Sequence, residues 1–213
     1  MRLVILGASG AGKGTQAKAL ASHFGLRHIS TGDVLREEIK KDSIVCRALK
    51  RLMDRGDLIP DEIMLSIVEV ILSEENNFIL DGFPRTFSQA LALNAICERL
   101  GAPIDAAVDI HVPDEKILQR LTGRTVCPSC TAMFHKEYFP PKVTGVCDKC
   151  GGGLIQRPDD TAETVQHRLK LYHKLTEPIA DLYRRQGILI SVDGTGEANQ
   201  ITQDLIKALE ERF

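Results

Sequence analysis

Lys13 sits in the stretch GASGAGKGT at residues 7–15, directly after the apolar run LVIL. The spacing nearly matches G-x-x-x-x-G-K-[ST], a loop whose backbone N–H groups cradle phosphates while the lysine reaches the outer ones. Gly7, Gly12 and Lys13 are in register, but Gly14 stands where a hydroxyl residue belongs and Thr15 comes one position late. Glycines allow close backbone approach to an anion, and the following helix adds partial positive charge at its N-terminus. The alternative is an ordinary strand–helix turn, which would not require strand, loop, lysine and helix in this order. With Gly14 in register, no side-chain hydroxyl is offered to Mg²⁺. The metal is then expected on phosphates and water, with a carboxylate orienting the waters. Asp81, closing the run NFILD, is the candidate; a turn or cap aspartate is the alternative. Thr15, one residue further into the helix, is placed to bond an inner phosphate.

A second constellation is CPSC at 127–130 and CDKC at 147–150, sixteen residues apart. Two such knuckles can set Cys127, Cys130, Cys147 and Cys150 at tetrahedral corners around Zn²⁺. Four thiolates leave no open coordination position, so the site reads as structural. Two disulfides or free thiols are the alternative, and iron or cobalt fits the same cage. Cys46 and Cys97 fall within helical patterns and read as buried apolar residues.

These residues need a scaffold, and 213 residues suffice for one sizeable core with small inserts. A chain 43% hydrophobic and 26% charged is ordinary for a soluble globular protein, and a net charge of −2 points to neither nucleic acid nor membrane. No apolar run approaches the roughly 20 residues that span a bilayer. The N-terminal apolar run is short and leads into a loop, so it reads as a buried strand rather than a signal peptide. A cytoplasmic location is the expectation.

Hydrophobic periodicity predicts strands at residues 2–6, RHIS, NFILDGF, AAVDIHV and ILISV. Between them, helices are predicted over AGKGTQAKALASHF, TGDVLREEIK, IVCRALKRLMDRG, PDEIMLSIVEVIL, TFSQALALNAICERLG and PDEKILQRLTG. TAETVQHRLKLYHKLTEPIADLYRRQG reads as one long helix bent at Pro178, and EANQITQDLIKALEERF as the last. Strands alternating with helices imply a parallel sheet covered on both faces. Residues 30–59, helical with no strand, and 125–160, rich in Cys, Pro and Gly, read as inserts.

The motifs GASGAGKGTQ, ISTGDVLR, LDGFPRT, RLTGR, RPDD and VDGTG occur in that order. From about residue 3 to residue 196 the chain resembles adenylate kinase in its long-lid bacterial form. The resemblance implies an α/β P-loop nucleoside-monophosphate kinase fold, with a five-stranded parallel sheet and helices on both faces. The implied core comprises residues 1–29, 60–122 and 161–213, with an AMP-binding insert at 30–59 and a zinc-bearing lid at 123–160. The implied activity is reversible transfer of the terminal phosphoryl of ATP to AMP, giving two ADP, with Mg²⁺.

Residue by residue, the resemblance puts the ATP phosphates on Gly10, Ala11, Gly12, Lys13, Gly14, Thr15 and Arg124. Arg120 would lie flat on the ATP adenine, with the backbone of Gly196 beside it. Arg36 and Arg85 would hold the AMP phosphate, Arg157 and Arg168 would reach the transferred group on closure, and Asp159 and Asp160 would orient these arginines. Thr31 and Gln89 would read the AMP base, Asp57, Leu58 and Ile59 would touch base and ribose through their backbone, and Gly82, Phe83 and Pro84 would line the pocket. Other readings stand beside these: solvated surface arginines, a helix cap at Thr31, an exposed helix residue at Gln89, and a cap at Asp159 or Asp160 before TAETV. A metal-fastened lid would close as a rigid body and exclude water from the transferred group.

Three positions depart from the family pattern: Ser9 for proline, Thr125 for a second arginine and Thr131 for glycine after the first knuckle, where strain is expected. The partners implied are ATP, AMP and ADP, with no nucleic acid or membrane, and the chain is expected to be a monomer. The rivals are a kinase for another monophosphate or for GTP, a zinc ribbon that binds nucleic acid or protein, and a nucleotide-binding protein that performs no transfer.

Overall fold

A computed structural model of the chain describes residues 1–41 and 43–213. Five parallel strands form its central sheet: Arg2–Leu6 (β1), Arg27–Ser30 (β2), Phe78–Asp81 (β3), Ala106–His111 (β4) and Leu189–Asp193, in the order β2-β3-β1-β4 followed by the 189–193 strand. The alternation of β1 shows why this sheet is buried on both sides. Leu3 and Ile5 belong to one apolar cluster, and Val4 and Leu6 to the other. Side chains with period two supply both faces, so a continuous apolar run is what a strand covered by helices requires.

The first face is covered by Lys13–Phe24 (α1), Asp114–Thr122 (α6), Ala162–Leu171 (α7) and Ala198–Glu210 (α9) through Ala17, Leu20, Ile117, Val165 and Leu205. The second is covered by Asp61–Ser73 (α4), Phe87–Arg99 (α5) and Ile179–Arg185 (α8) through Val68, Leu93 and Ile179. Thr31–Ile39 (α2) and Ile44–Arg55 (α3) fill the 30–59 stretch and contribute Leu35 and Leu49 to that second cluster. Cys46 and Cys97 are buried thiols, as their helical pattern predicted.

Helix starts are set by side-chain caps. Ser30, not Thr31, caps α2 by accepting from the Asp33 N–H, and Thr161, not Asp159 or Asp160, caps α7 by accepting from the Thr164 N–H. The capping alternatives for Thr31, Asp159 and Asp160 are thereby excluded, since a neighbouring hydroxyl already serves each helix. The long helix breaks earlier than Pro178. A π turn over Tyr172–Thr176 separates α7 from α8, and the Glu177 N–H donates five residues back to the Tyr172 carbonyl at 2.9 Å. Pro178 has no N–H to continue an α-helical ladder, so the wider turn takes up the mismatch.

Within 123–160, two short antiparallel strands absent from the sequence expectation, Arg124–Val126 (β5) and Met133–His135 (β6), pair in register Thr125 to Phe134. Cys127, Ala132, Phe134 and Cys147 form a small apolar cluster of their own there. With the last sheet strand, Leu189–Asp193, counted as β7, the chain order is complete. No described helix is long and apolar enough to cross a membrane.

Candidate active site

The carboxyl ends of β1, β2 and β3 converge where an open α/β sheet presents its ligand crevice. Ile5 and Ser30 both lie level with Asp81 in the strand register. The loop after β1, the start of α2 and the turn after β3 therefore share one edge. A cleft opens there, with Lys13, Leu58, Gly82, Pro84, Arg85 and Arg168 among its walls.

The loop itself is shaped by its glycines. Gly10 has φ 88°, and a Cβ there would meet the Leu121 side chain at 2.7 Å. Gly14 answers the one-residue misfit in the phosphate pattern: a Cβ built there would lie 3.3 Å from Asp81 Oδ2. The Asp81 carboxylate thus occupies space that a hydroxyl side chain at position 14 would need, and it also faces His28 Nε2 at 3.3 Å. Lys13 Nζ donates to the carbonyls of Gly7 and Ala8 at 2.9 and 2.8 Å, folded back along its own loop.

The electrostatics of the cleft are those of an anion site. Loss of hydration lowers the Lys13 pKa to about 8; Asp81 opposes this, and Arg85, Arg168 and Arg124 push further down. Arg85 and Arg157 are each lowered to about 10, first by burial. For Arg85 the nearby Arg168 adds to the fall, and for Arg157 Arg36 and Arg124 do. Neither Arg85 nor Arg157 has a carboxylate within ion-pair distance among the described residues. Asp81, Asp159 and Asp160 offset this lowering only in part, and crowded like charges favour the entry of an anion among them.

The other cations are held in place. Arg124 forks onto Asp160 at 2.8 and 2.6 Å, and that carboxylate is fully buried. Arg168 donates to Asp159 Oδ2 at 2.5 Å and to the Asp159 carbonyl at 3.3 Å. Two acids thus anchor two arginines, and the bidentate pairing of Arg124 with the Asp160 carboxylate is one that lysine could not reproduce. Arg36 is tied to Asp33 at 2.6 Å on its own helix. Arg85 is anchored through its backbone and stem. Its Nε donates to the Gly82 carbonyl at 2.8 Å, its carbonyl accepts from Thr176 Oγ1 at 2.8 Å, and its N–H donates to Gln89 Oε1 at 2.7 Å.

Several expected residues are engaged by the protein itself. Thr31 is buried and its hydroxyl donates to the Asp81 carbonyl at 3.2 Å. Gln89 is buried rather than exposed. Ile59 and Phe83 pack into the core, so the polypeptide backbone is what these two offer a ligand. Asp57 is occupied by His167 at 2.8 Å and by Arg55 at 3.0 Å. Arg120 donates to the Gly194 carbonyl at 2.9 Å, with the exposed Gly196 two residues on, and Thr15 is likewise exposed.

The four paired cysteines gather as one group, their sulphurs all within 4.8 Å of one another. Cys127–Cys150 and Cys130–Cys147 are each 3.4 Å apart, too long for a disulfide and near the edge length of a tetrahedral thiolate cage. The Cys130 backbone N–H, with further hydrogen bonds, lowers Cys127 to about 6. Cys150 accepts from the Gly152 N–H, yet its sulphur neighbours push it up to about 12. Four clustered thiols cannot all ionise unaided, and a divalent cation removes that conflict. The donor set fits a zinc ion.

Sequence reasoning missed Thr176 and Asp61 as partners of the site. Thr176 lay inside the predicted long helix, and Asp61 inside the predicted helix PDEIMLSIVEVIL with nothing to single it out. A hydroxyl beside a proline-bent turn was the one signal available for Thr176.

Comparison with known proteins agrees with this geometry. The family model described as Adenylate kinase matches residues 5–188. The chain is 51% identical over 212 residues to the Adenylate kinase of Caldicellulosiruptor saccharolyticus, covering 98% of this chain and 99% of that one. It is 46% identical to that of Thermodesulfovibrio yellowstonii over the full length of both, and 45% identical to that of Staphylococcus aureus over 99% of both.

Proposed function

The chain belongs to the adenylate kinase family and catalyses ATP + AMP ⇌ 2 ADP, and we propose that Lys13, Arg85, Arg124, Arg157 and Arg168 carry the transfer. The supporting observation is that Lys13, Arg85 and Arg168 line one cleft, with Arg124 near enough to lower Lys13 and with Arg157 lowered by burial and by Arg36 and Arg124. Phosphoryl transfer leaves the protein little covalent work. Its task is to align donor and acceptor and to neutralise the charge of the moving group.

In this reading Gly10, Ala11, Gly12, Lys13, Gly14 and Thr15 receive the ATP phosphates, and Arg120 with the Gly196 backbone receives the ATP base. Arg36 and Arg85 receive the AMP phosphate, and Thr31, Gln89, the 57–59 backbone and Gly82 to Pro84 receive the AMP nucleoside. Asp159 and Asp160 keep Arg168 and Arg124 pointed inward. Mg²⁺, arriving with ATP, supplies further positive charge at the phosphates, and Asp81 is the residue that would orient its waters. Zn²⁺ would be held by Cys127, Cys130, Cys147 and Cys150 and serves structure only.

The functional division is a core at 1–29, 60–122 and 161–213, an AMP-binding insert at 30–59 and a lid at 123–160. The separate apolar cluster of the lid favours that boundary. A cytoplasmic monomer acting on ATP, AMP and ADP is the simplest form of the enzyme. ADP formation from ATP and Mg²⁺ with AMP, CMP, UMP or GMP in turn tests the acceptor assignment. Strong preference for AMP is expected. An equal rate with GMP would overturn the roles given to Thr31 and Gln89.

A further inference from the structure

We propose that Asp61 fixes the orientation of the Gln89 side-chain amide, and so makes the acceptor site read adenine rather than guanine. The inference rests on the reading of Gln89 as a contact to the AMP base.

Gln89 is 2% exposed, and both ends of its amide are engaged. Its Oε1 accepts from the Arg85 backbone N–H at 2.7 Å, and its Nε2 donates to Asp61 Oδ1 at 2.7 Å. One partner can only donate and a carboxylate can only accept, so the amide has one chemically permitted orientation. Each end keeps one unused valence, a second lone pair on Oε1 and a second N–H on Nε2.

That leftover pair is a code. Adenine presents a donor at N6 and an acceptor at N1, matching a free lone pair beside a free N–H. Guanine presents the reverse, an acceptor at O6 and a donor at N1. Turning the amide by 180° about its last bond would exchange the two readings at no steric cost, because oxygen and nitrogen are nearly the same size. Selectivity for the base therefore depends on what prevents the turn. A turned amide would set N–H against the Arg85 N–H and a carbonyl oxygen against a carboxylate, both repulsive.

Asp61 is itself aimed. It is the first residue of α4, directly beyond the 30–59 stretch, and its Oδ2 accepts from the hydroxyls of Thr86 and Ser88. Thr86 also caps α5 through the Gln89 N–H at 3.1 Å. The carboxylate thus ties the start of one helix to the start of another, with Gln89 between them. Hydrogen bonds from Ser88, Thr86 and Gln89 outweigh burial and keep Asp61 below the usual carboxylate range, so it remains an acceptor at neutral pH.

The test is a double-mutant cycle over Asp61→Ala and Gln89→Ala, with KM and kcat measured for AMP and GMP and folding checked by thermal melting. Asp61→Ala should raise the AMP KM about tenfold, leave kcat and the ATP KM within about twofold, and lower the AMP-to-GMP preference by about tenfold. In the Gln89→Ala background, Asp61→Ala should change none of these further, because the group it orients is gone. Asp61→Asn, which can still turn an oxygen toward Gln89, should recover most of the AMP affinity. If Asp61→Ala does not fold, Asp61→Ser takes its place in the cycle. Additive effects, or a loss of melting temperature with unchanged preference, would assign Asp61 to structure alone. Unchanged AMP KM and preference in Gln89→Ala would instead overturn the base-contact reading itself.

Discussion

Lys13 is the residue where the site's electrostatics become measurable. With its pKa at about 8 instead of 10.5, the free protein binds fewer protons at Lys13 than the unfolded chain does between those two values. The free fold therefore gains stability from this group as pH rises through 8. A bound polyphosphate reverses the balance by favouring the ammonium form, so ATP binding at about pH 9 should take up a proton. Calorimetric titrations in buffers of different ionisation heat read this directly. Affinity should be flat below pH 8 and fall by up to tenfold per unit above it. Binding with no proton uptake at pH 9 would remove Lys13 from the phosphate site. Arg85 gives the matching test by mutation. Its main-chain bonds to Gln89 and Thr176 do not depend on the guanidinium, so Arg85→Ala should keep its melting temperature while transfer falls about 10²–10³-fold. Near-normal turnover would refute its role.

At the scale of elements, the zinc knuckles form a natural comparison. The Thr131 N–H donates to the Cys127 carbonyl at 2.9 Å, and the Gly151 N–H donates to the Cys147 carbonyl at 2.8 Å. The two turns are the same, and both require a left-handed residue: φ is 59° at Thr131 and 72° at Gly151. Thr131 is the one non-glycine residue with positive φ among the described residues. A non-glycine residue there costs about 1–2 kcal/mol, of which the greater freedom of glycine in the unfolded chain offsets about half. Thr131→Gly should therefore tighten metal retention about two- to fivefold in chelator competition. Equal or weaker retention would show that the turn is unstrained.

The positive φ at Thr131 falls where the family pattern has glycine, which is why strain was expected there. The phosphate loop and β1 were legible because the continuous apolar run LVIL ends at a glycine-rich loop with a lysine, and the other sheet strands because short apolar stretches alternate with helical patterns. The π turn at Tyr172–Thr176 was not, because its residues keep helical periodicity: Pro178 marks a bend in the sequence but not where the ladder widens, and the bond from the Thr176 hydroxyl to the Arg85 carbonyl joins distant segments. The hydrogen bond from Gln89 to Asp61 was equally hidden, since it joins residues 28 apart across two helix starts.

At the scale of the whole molecule, the two apolar clusters on the sheet do not depend on metal, whereas the lid has only a small cluster in which two of the four buried members are cysteines. A segment of that size cannot hold itself together by apolar burial alone. Arg124 and Arg157 lie within it, and in the proposed function closure of this segment would hold them at the phosphates and keep water out. Stripping the metal with a chelator, below the melting temperature of the core, should therefore separate two properties. AMP binding should stay within about twofold, because Arg36, Arg85 and Gln89 stand on the core and insert. Transfer should fall more than tenfold, while ADP formed by hydrolysis in the absence of AMP should rise relative to transfer, and added Zn²⁺ should restore both. Full transfer by a demonstrably metal-free protein would mean that the four cysteines hold the lid without an ion. A parallel loss of AMP binding would mean that the metal supports the core as well.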